Sequence, residues 1–107
     1  KTYSNNIGSF LTVLKKFGEG ENGFSFPMPG YTLAMDFPVS RKVLLLLEEL
    51  DEIVIKHKGR FYLAKDSRMT SHVLKKTDER YIQFKEFRKK NAFKKKYNSE
   101  QSFRLDL

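Results

Sequence analysis

The sequence predicts an α+β fold, and three observations carry that prediction. Residues 31–37 (YTLAMDF) alternate bulky with small or polar side chains, the period of two that marks a half-buried strand. Residues 41–58 carry apolar residues at helical spacing, with Ser40 placed to cap the start and Gly59 just beyond the end. The shorter apolar runs then give the order strand, strand, strand, helix, strand, then helices, which is the arrangement of an α+β chain. The architecture expected is a fragment with a small antiparallel sheet packed on the long amphipathic helix 41–58, followed by C-terminal helices.

Residues 10–17 (FLTVLKKF) are apolar and β-branched and end at Gly18. They read as a strand, with a short helix as the competing reading. The two faces would be Phe10, Thr12, Leu14, Lys16 and Leu11, Val13, Lys15, Phe17, so periodicity alone does not say which lysine points inward. Residues 19–23 (EGENG) are a polar loop, 24–28 a short extended piece, and Pro29-Gly30 a turn signal. On the next strand Tyr31, Leu33, Met35 and Phe37 form a bulky face expected to pack on a core. Thr32, Ala34 and Asp36 form a small face, which leaves either room for a ligand or a solvent-facing edge. Pro38 ends that strand. Within the helix, Val43, Leu46, Leu47, Leu50, Ile53 and Val54 fall on one side, and Lys56, His57 and Lys58 suit the negative end of its dipole. Residues 60–64 (RFYLA) read as a further strand. Asp66, Ser67 or Thr70 could cap a short helix near 71–76, and a helix over 80–90 would space Tyr81, Phe84 and Phe87 along one side. So few strands leave a sheet with open edges, which argues for a piece of a larger protein.

Composition excludes several function classes. There is no cysteine, so disulfides, thiolate metal sites and cysteine nucleophiles are ruled out. His57 and His72 lack ligand-spaced partners, so no metal is assigned. No phosphate-binding glycine loop and no nucleophile elbow is present. No apolar run is long enough to span a bilayer, so the chain is expected in the cytoplasm or at the periphery of a membrane. The net charge of +8 is uneven. Residues 1–59 carry seven basic and seven acidic side chains, whereas residues 60–107 carry fourteen and six. The tract 85–96 interleaves basic residues with Phe87 and Phe93, as single-strand nucleic-acid binders do. The spacing of Phe84 and Phe87 fits a helix whose phenylalanines face a core and whose lysines face water. A basic binding module for nucleic acid or an acidic surface is therefore the second reading, with nucleic acid the less favoured partner.

A few residues are placed to carry chemistry. Lys65 follows an apolar run in YLAKDSR, where an ammonium can project into a cleft and stabilise negative charge. A salt bridge to Asp66, or plain solvation, is the commoner explanation of such a lysine. Tyr62 offers a ring and a hydroxyl, and Lys15 a second cation; a packed tyrosine and a surface lysine are the ordinary explanations.

The segments FGEGENGFSFPMPGYTLAMDFP, GRFYLAKDSRM and SEQSFRLDL, in this order, resemble the C-terminal region of FAD-linked oxidoreductases of the vanillyl-alcohol oxidase superfamily. The decaprenylphosphoryl-β-D-ribose 2′-oxidase group is the nearest likeness; aldonolactone and alditol oxidases are more distant. The resemblance implies that residues 1–59 are the end of a substrate (cap) domain. Residues 60–107 would be the segment that returns to an FAD-binding domain lying upstream of Lys1. It implies oxidation of a sugar or polyprenyl-phosphosugar-like alcohol by hydride transfer to FAD, and a chain inactive by itself that holds FAD weakly or not at all. Lys65 matches the lysine that reaches flavin and substrate, and Tyr62 an aromatic lining the same cavity. Lys15 matches a substrate-side lysine, and Thr32 and Ala34 lie on the strand that faces the flavin. The mycobacterial enzymes carry Asn and Cys at the positions of Thr32 and Ala34. Alditol oxidases have His shortly before the lysine, and the usual Asp-Pro before the last helix is replaced around Asn91-Ala92. The resemblance supplies no catalytic base.

Overall fold

The structure is a computed structural model and describes residues 7–20, 23–91 and 96–107. The described residues form a two-stranded antiparallel sheet, four α-helices and one 3-10 turn, an α+β chain as the sequence predicts. By internal contacts the chain divides into Lys1–Ile53 and Val54–Leu107.

In the first unit, β1 (Leu11–Phe17) pairs with β2 (Gly30–Asp36). Ser9 fastens the open end, its hydroxyl donating to the carbonyls of Leu11 (2.7 Å) and Asp36 (2.9 Å). β2 opens at Gly30 with φ 139°, a conformation that a side chain would strain and the turn requires. Helix α1 (Arg41–Lys56) starts where Ser40 accepts the Val43 amide at 3.2 Å, the cap expected from the sequence. Val43 and Leu46 on its inner side are buried with Ile7, and Phe37, Leu47 and Leu50 pack against that cluster. Burying a side chain such as Leu46 stabilises the unit by about 2 kcal/mol.

Two expectations are corrected here. The bulky face of β2 is not covered among the described residues: Tyr31 is 72% and Leu33 52% exposed, and only Met35 and Phe37 are half-buried. Core formation passes instead to the residues flanking the strands, Ile7 and Phe37. The helix expected over 41–58 ends at Lys56. Lys58, not Gly59, takes the left-handed conformation (φ 54°), and two bonds close the end: Lys58 N–H to Ile55 O (3.1 Å) and Gly59 N–H to Val54 O (2.9 Å). Gly59 is needed for a different reason. A Cβ there would lie 2.9 Å from the Val54 side chain.

The second unit holds a 3-10 turn (Leu63–Lys65), α2 (Ser71–Thr77), α3 (Tyr81–Lys90) and α4 (Glu100–Arg104). Among its described residues the buried apolar side chains are Met69, Val73, Leu74, Tyr81, Leu105 and Leu107. Thr70 caps α2 through the Val73 amide. Ser99 and Ser102 cap α4 reciprocally, each hydroxyl accepting the other's amide at 3.2 and 2.8 Å. Between α2 and α3 the buried Asp78 carboxylate receives the Arg80 guanidinium at 2.6 and 2.8 Å, with Arg60 3.6 Å away.

Candidate functional site

Pairing register decides what periodicity left open on the hairpin. Lys15 stands opposite Thr32, Val13 opposite Ala34, and Phe17 opposite Gly30. Directly opposed residues of an antiparallel pair share a face, so Lys15, Thr32 and Ala34 lie together on one side. Lys16 pairs with Tyr31 and Leu14 with Leu33, on the other side. The face with Lys15 is low in profile, because Gly30, Thr32 and Ala34 supply little bulk along β2. At its end Phe17 is propped by Phe26, the rings edge-to-face with centroids 5.9 Å apart. Lys15 and Ala34 are exposed and Thr32 is half-buried.

Tyr62 and Lys65 sit together on the turn of the second unit. Residues 60–64 are not the strand the sequence suggested. The Lys65 amide bonds Tyr62 O (3.3 Å) and the Asp66 amide bonds Leu63 O (3.2 Å), closing a tight turn. The physical reason is Asp66. Its Oδ1 accepts the amides of Arg68 (3.1 Å) and Met69 (2.9 Å), so a short acidic side chain draws the backbone around itself and ends any extended run. Tyr62 is half exposed and Lys65 is exposed.

Of the two ordinary explanations of Lys65, the salt bridge to Asp66 is not made, because Asp66 goes to another residue, whereas an exposed lysine is what plain solvation gives. Arg104 of α4 lies 2.9 Å from Asp66 Oδ2. Among the described residues the Lys65 ammonium has no hydrogen-bond or ion-pair partner, and the same holds for Lys15. The sequence reading missed Asp66 as the centre of the turn and Arg104 as its brace. Asp-Ser after Lys65 was a turn signal, and Arg104 stands in the tail segment SEQSFRLDL; the contact between positions so far apart had no local signature.

The basic tract is described in part, since Phe93, Lys94 and Lys95 lie outside the described residues. The expectation that its phenylalanines face a core is corrected. Phe84 is half-buried, but Phe87 is 52% exposed and lines an open surface groove with Phe84, Arg88 and Tyr97. Among the described residues no cluster of His, Cys, Asp or Glu could hold a metal ion, and no helix is long and apolar enough to cross a membrane.

No family model matches the chain. Over 64 residues, 59% of this chain, it is 45% identical to decaprenylphosphoryl-beta-D-ribose oxidase of Mycolicibacterium smegmatis. Over 82 residues, 75% of this chain, it is 40% identical to an uncharacterized protein in the mprA 5′ region of Streptomyces coelicolor. The chain spans 14% and 22% of the length of these two relatives. Over that stretch it is related to an oxidase.

Proposed function

We propose that this chain is part of an FAD-dependent oxidoreductase that oxidises a carbinol carbon of a sugar-like or polyprenyl-phosphosugar-like alcohol. The observation that carries the proposal is the Lys65 ammonium: it is exposed, unpartnered among the described residues, and mounted on a turn whose own carboxylate is held by Arg104. An unpaired cation on a braced turn is placed to meet negative charge on a ligand. The oxidase relative supplies the class of ligand.

Taken separately, each unit carries residues whose chemistry would suit a flavin. Lys65 would hold its pyrimidine edge or a substrate oxygen, and Tyr62 would present a ring face and a hydroxyl beside it. Ala34 leaves room on β2 for a planar ring system, since its methyl is the smallest side chain that a strand can carry without the freedom of glycine. FAD, when bound, accepts the hydride released from the alcohol carbon. The work of this chain is electrostatic and positional. The Lys65 charge favours the electron-rich form of whatever it touches, because a fixed cation needs no reorganisation as negative charge develops. Lys15 and Thr32, side by side on the hairpin, orient the substrate through one charged and one neutral donor. In this reading the FAD phosphates and the remaining ring contacts belong to polypeptide beyond this chain.

The test is Lys65→Met in the full-length protein that carries this segment. Methionine keeps the stem and removes the charge. Turnover of the alcohol is predicted to fall about a hundredfold or more, with FAD still bound at one per chain. Wild-type turnover in that variant contradicts the proposal.

A further inference from the structure

We infer that Arg104, assisted by Gln101, is a positioning residue for Lys65: α4 grips the turn that carries the ammonium and engages the adjacent carboxylate that would compete for it. The inference rests on the role proposed above for Lys65.

The turn is short, and α4 adds to the local closure that the Asp66 side chain provides. Leu63–Lys65 is a single 3-10 turn closed by two long backbone bonds, of 3.3 and 3.2 Å. Bonds of that kind have poorer geometry than those of an α-helix, so contacts from other parts of the fold matter more to the turn. α4 supplies them from more than thirty positions downstream. Gln101 Nε2 donates to Leu63 O at 2.5 Å and lies 3.4 Å from Asp66 O. Arg104 donates to Met69 O through one terminal nitrogen and to Asp66 O at 3.4 Å through the other. The first of these nitrogens also lies 2.9 Å from Asp66 Oδ2. One guanidinium thus engages two carbonyls and a carboxylate of the segment 66–69, while Gln101, one helical turn earlier, fixes its start. Both ends of the contact are anchored: Met69 is 2% exposed, and Leu105, next to Arg104, is fully buried.

Two consequences follow for Lys65. Its backbone is held at fixed height over α4, so its four-carbon stem starts from a defined point. Its neighbour Asp66 is already engaged, one oxygen by the amides of Arg68 and Met69 and the other by ion pairing with Arg104 alone, since that buried oxygen accepts no hydrogen bond among the described residues. Without Arg104 the carboxylate would keep its two amide donors but lose its ion pair, and would compete with the ligand for the ammonium one residue away. Lysine at position 104 would keep the charge but lose the planar fork that reaches several oxygens at once.

The experiment uses the full-length, flavin-loaded protein with Arg104→Ala, Arg104→Lys, Lys65→Met and the double variant Lys65→Met/Arg104→Ala. Arg104→Ala is predicted to slow flavin reduction at saturating alcohol about tenfold, with FAD occupancy unchanged. Arg104→Lys is predicted to keep most of that deficit, and it serves as the probe if the alanine variant does not fold. In the Lys65→Met background the Arg104→Ala change is predicted to cost nothing further, because a residue acting through Lys65 has nothing left to position. Hydrogen exchange reads the same contact without turnover: the amides of Arg68 and Met69 are predicted to lose protection in both Arg104 variants, while those of α3 keep it. Multiplying losses in the double variant, wild-type rates in both Arg104 variants, or unchanged protection at Arg68 and Met69 overturns the inference. The two failures are distinguishable. An active Lys65→Met variant removes the proposed role of Lys65 and this inference with it, whereas an inactive Lys65→Met beside fully active Arg104 variants removes this inference alone.

Discussion

Asp106 adopts a left-handed conformation (φ 56°) and gathers three side chains around its carboxylate. The Tyr81 hydroxyl donates to its carbonyl at 2.8 Å, Lys85 bonds its Oδ2, and Lys75 stands 3.7 Å away. Both lysines also lie over the Tyr81 ring, at 5.3 and 5.8 Å from its centroid. The bond to Asp106 raises the Lys85 ammonium above its ordinary value of 10.5. The folded chain therefore holds that proton more tightly than the unfolded one. The contribution of this pair is complete below about pH 10.5 and is lost as pH rises through the higher folded value. Thermal melts followed by circular dichroism are predicted to show a decline in stability above that pH, and Lys85→Met is predicted to remove this component of it. An identical alkaline decline in parent and variant contradicts the assignment. Little of this residue-scale chemistry was legible in the sequence. Asp66 and Asp78 have local partners in Arg68, Met69 and Arg80, but the contacts of Asp66 with Arg104 and of Asp106 with Tyr81 and Lys85 are set by the fold, and nothing in their immediate sequence names the partner.

Helix α1 was legible because its cap, its stripe and its end each have a local cause. Ser40 accepts the Val43 amide, Val43 and Leu46 reach the core, and the chain turns away near Gly59. The error of two residues at its end is informative. The sequence suggested Gly59 for the left-handed position, whereas Lys58 occupies it and Gly59 is kept small by Val54. Lys58→Gly is predicted to stabilise the chain by about 1 kcal/mol, since the left-handed conformation costs a side-chain-bearing residue about that much. Gly59→Ala is predicted to destabilise it by at least about 1 kcal/mol, because the new methyl must displace the Val54 side chain. Urea denaturation of the two variants checks both signs. The reversed pattern would mean that the helix end is built the other way round. The strand expected over 60–64 failed for a related reason. RFYLA has the composition of a strand, but its partner would have to come from elsewhere, and the Asp66 side chain draws the following backbone into a turn.

At the scale of the whole molecule, the α+β class and the hairpin were legible from period-two and helical patterns that survive without tertiary context. The burial of the hairpin was not. Leu14, Tyr31 and Leu33 on one face and Leu11 and Val13 on the other are all exposed, and a two-stranded ribbon has an open edge on each side. Isolated ribbons of this kind are marginal in water. In the reading proposed here those faces and edges are covered in a longer polypeptide, consistent with the 14% of the oxidase relative that this chain spans. Register brought Lys15, Thr32 and Ala34 to one face, and the 3-10 turn carries Tyr62 and Lys65. The roles proposed for them toward a flavin and its substrate rest on the resemblance together with the two lysines' having no partner among the described residues. The most direct test is the midpoint potential of the bound flavin in the full-length protein, measured for the parent and for Lys65→Met. If the position-65 ammonium stabilises negative charge on the reduced cofactor, removing it is predicted to lower the two-electron potential by about 30 mV or more, equivalent to about 1.4 kcal/mol. A potential that does not move, in a variant that still holds its FAD, would contradict the account.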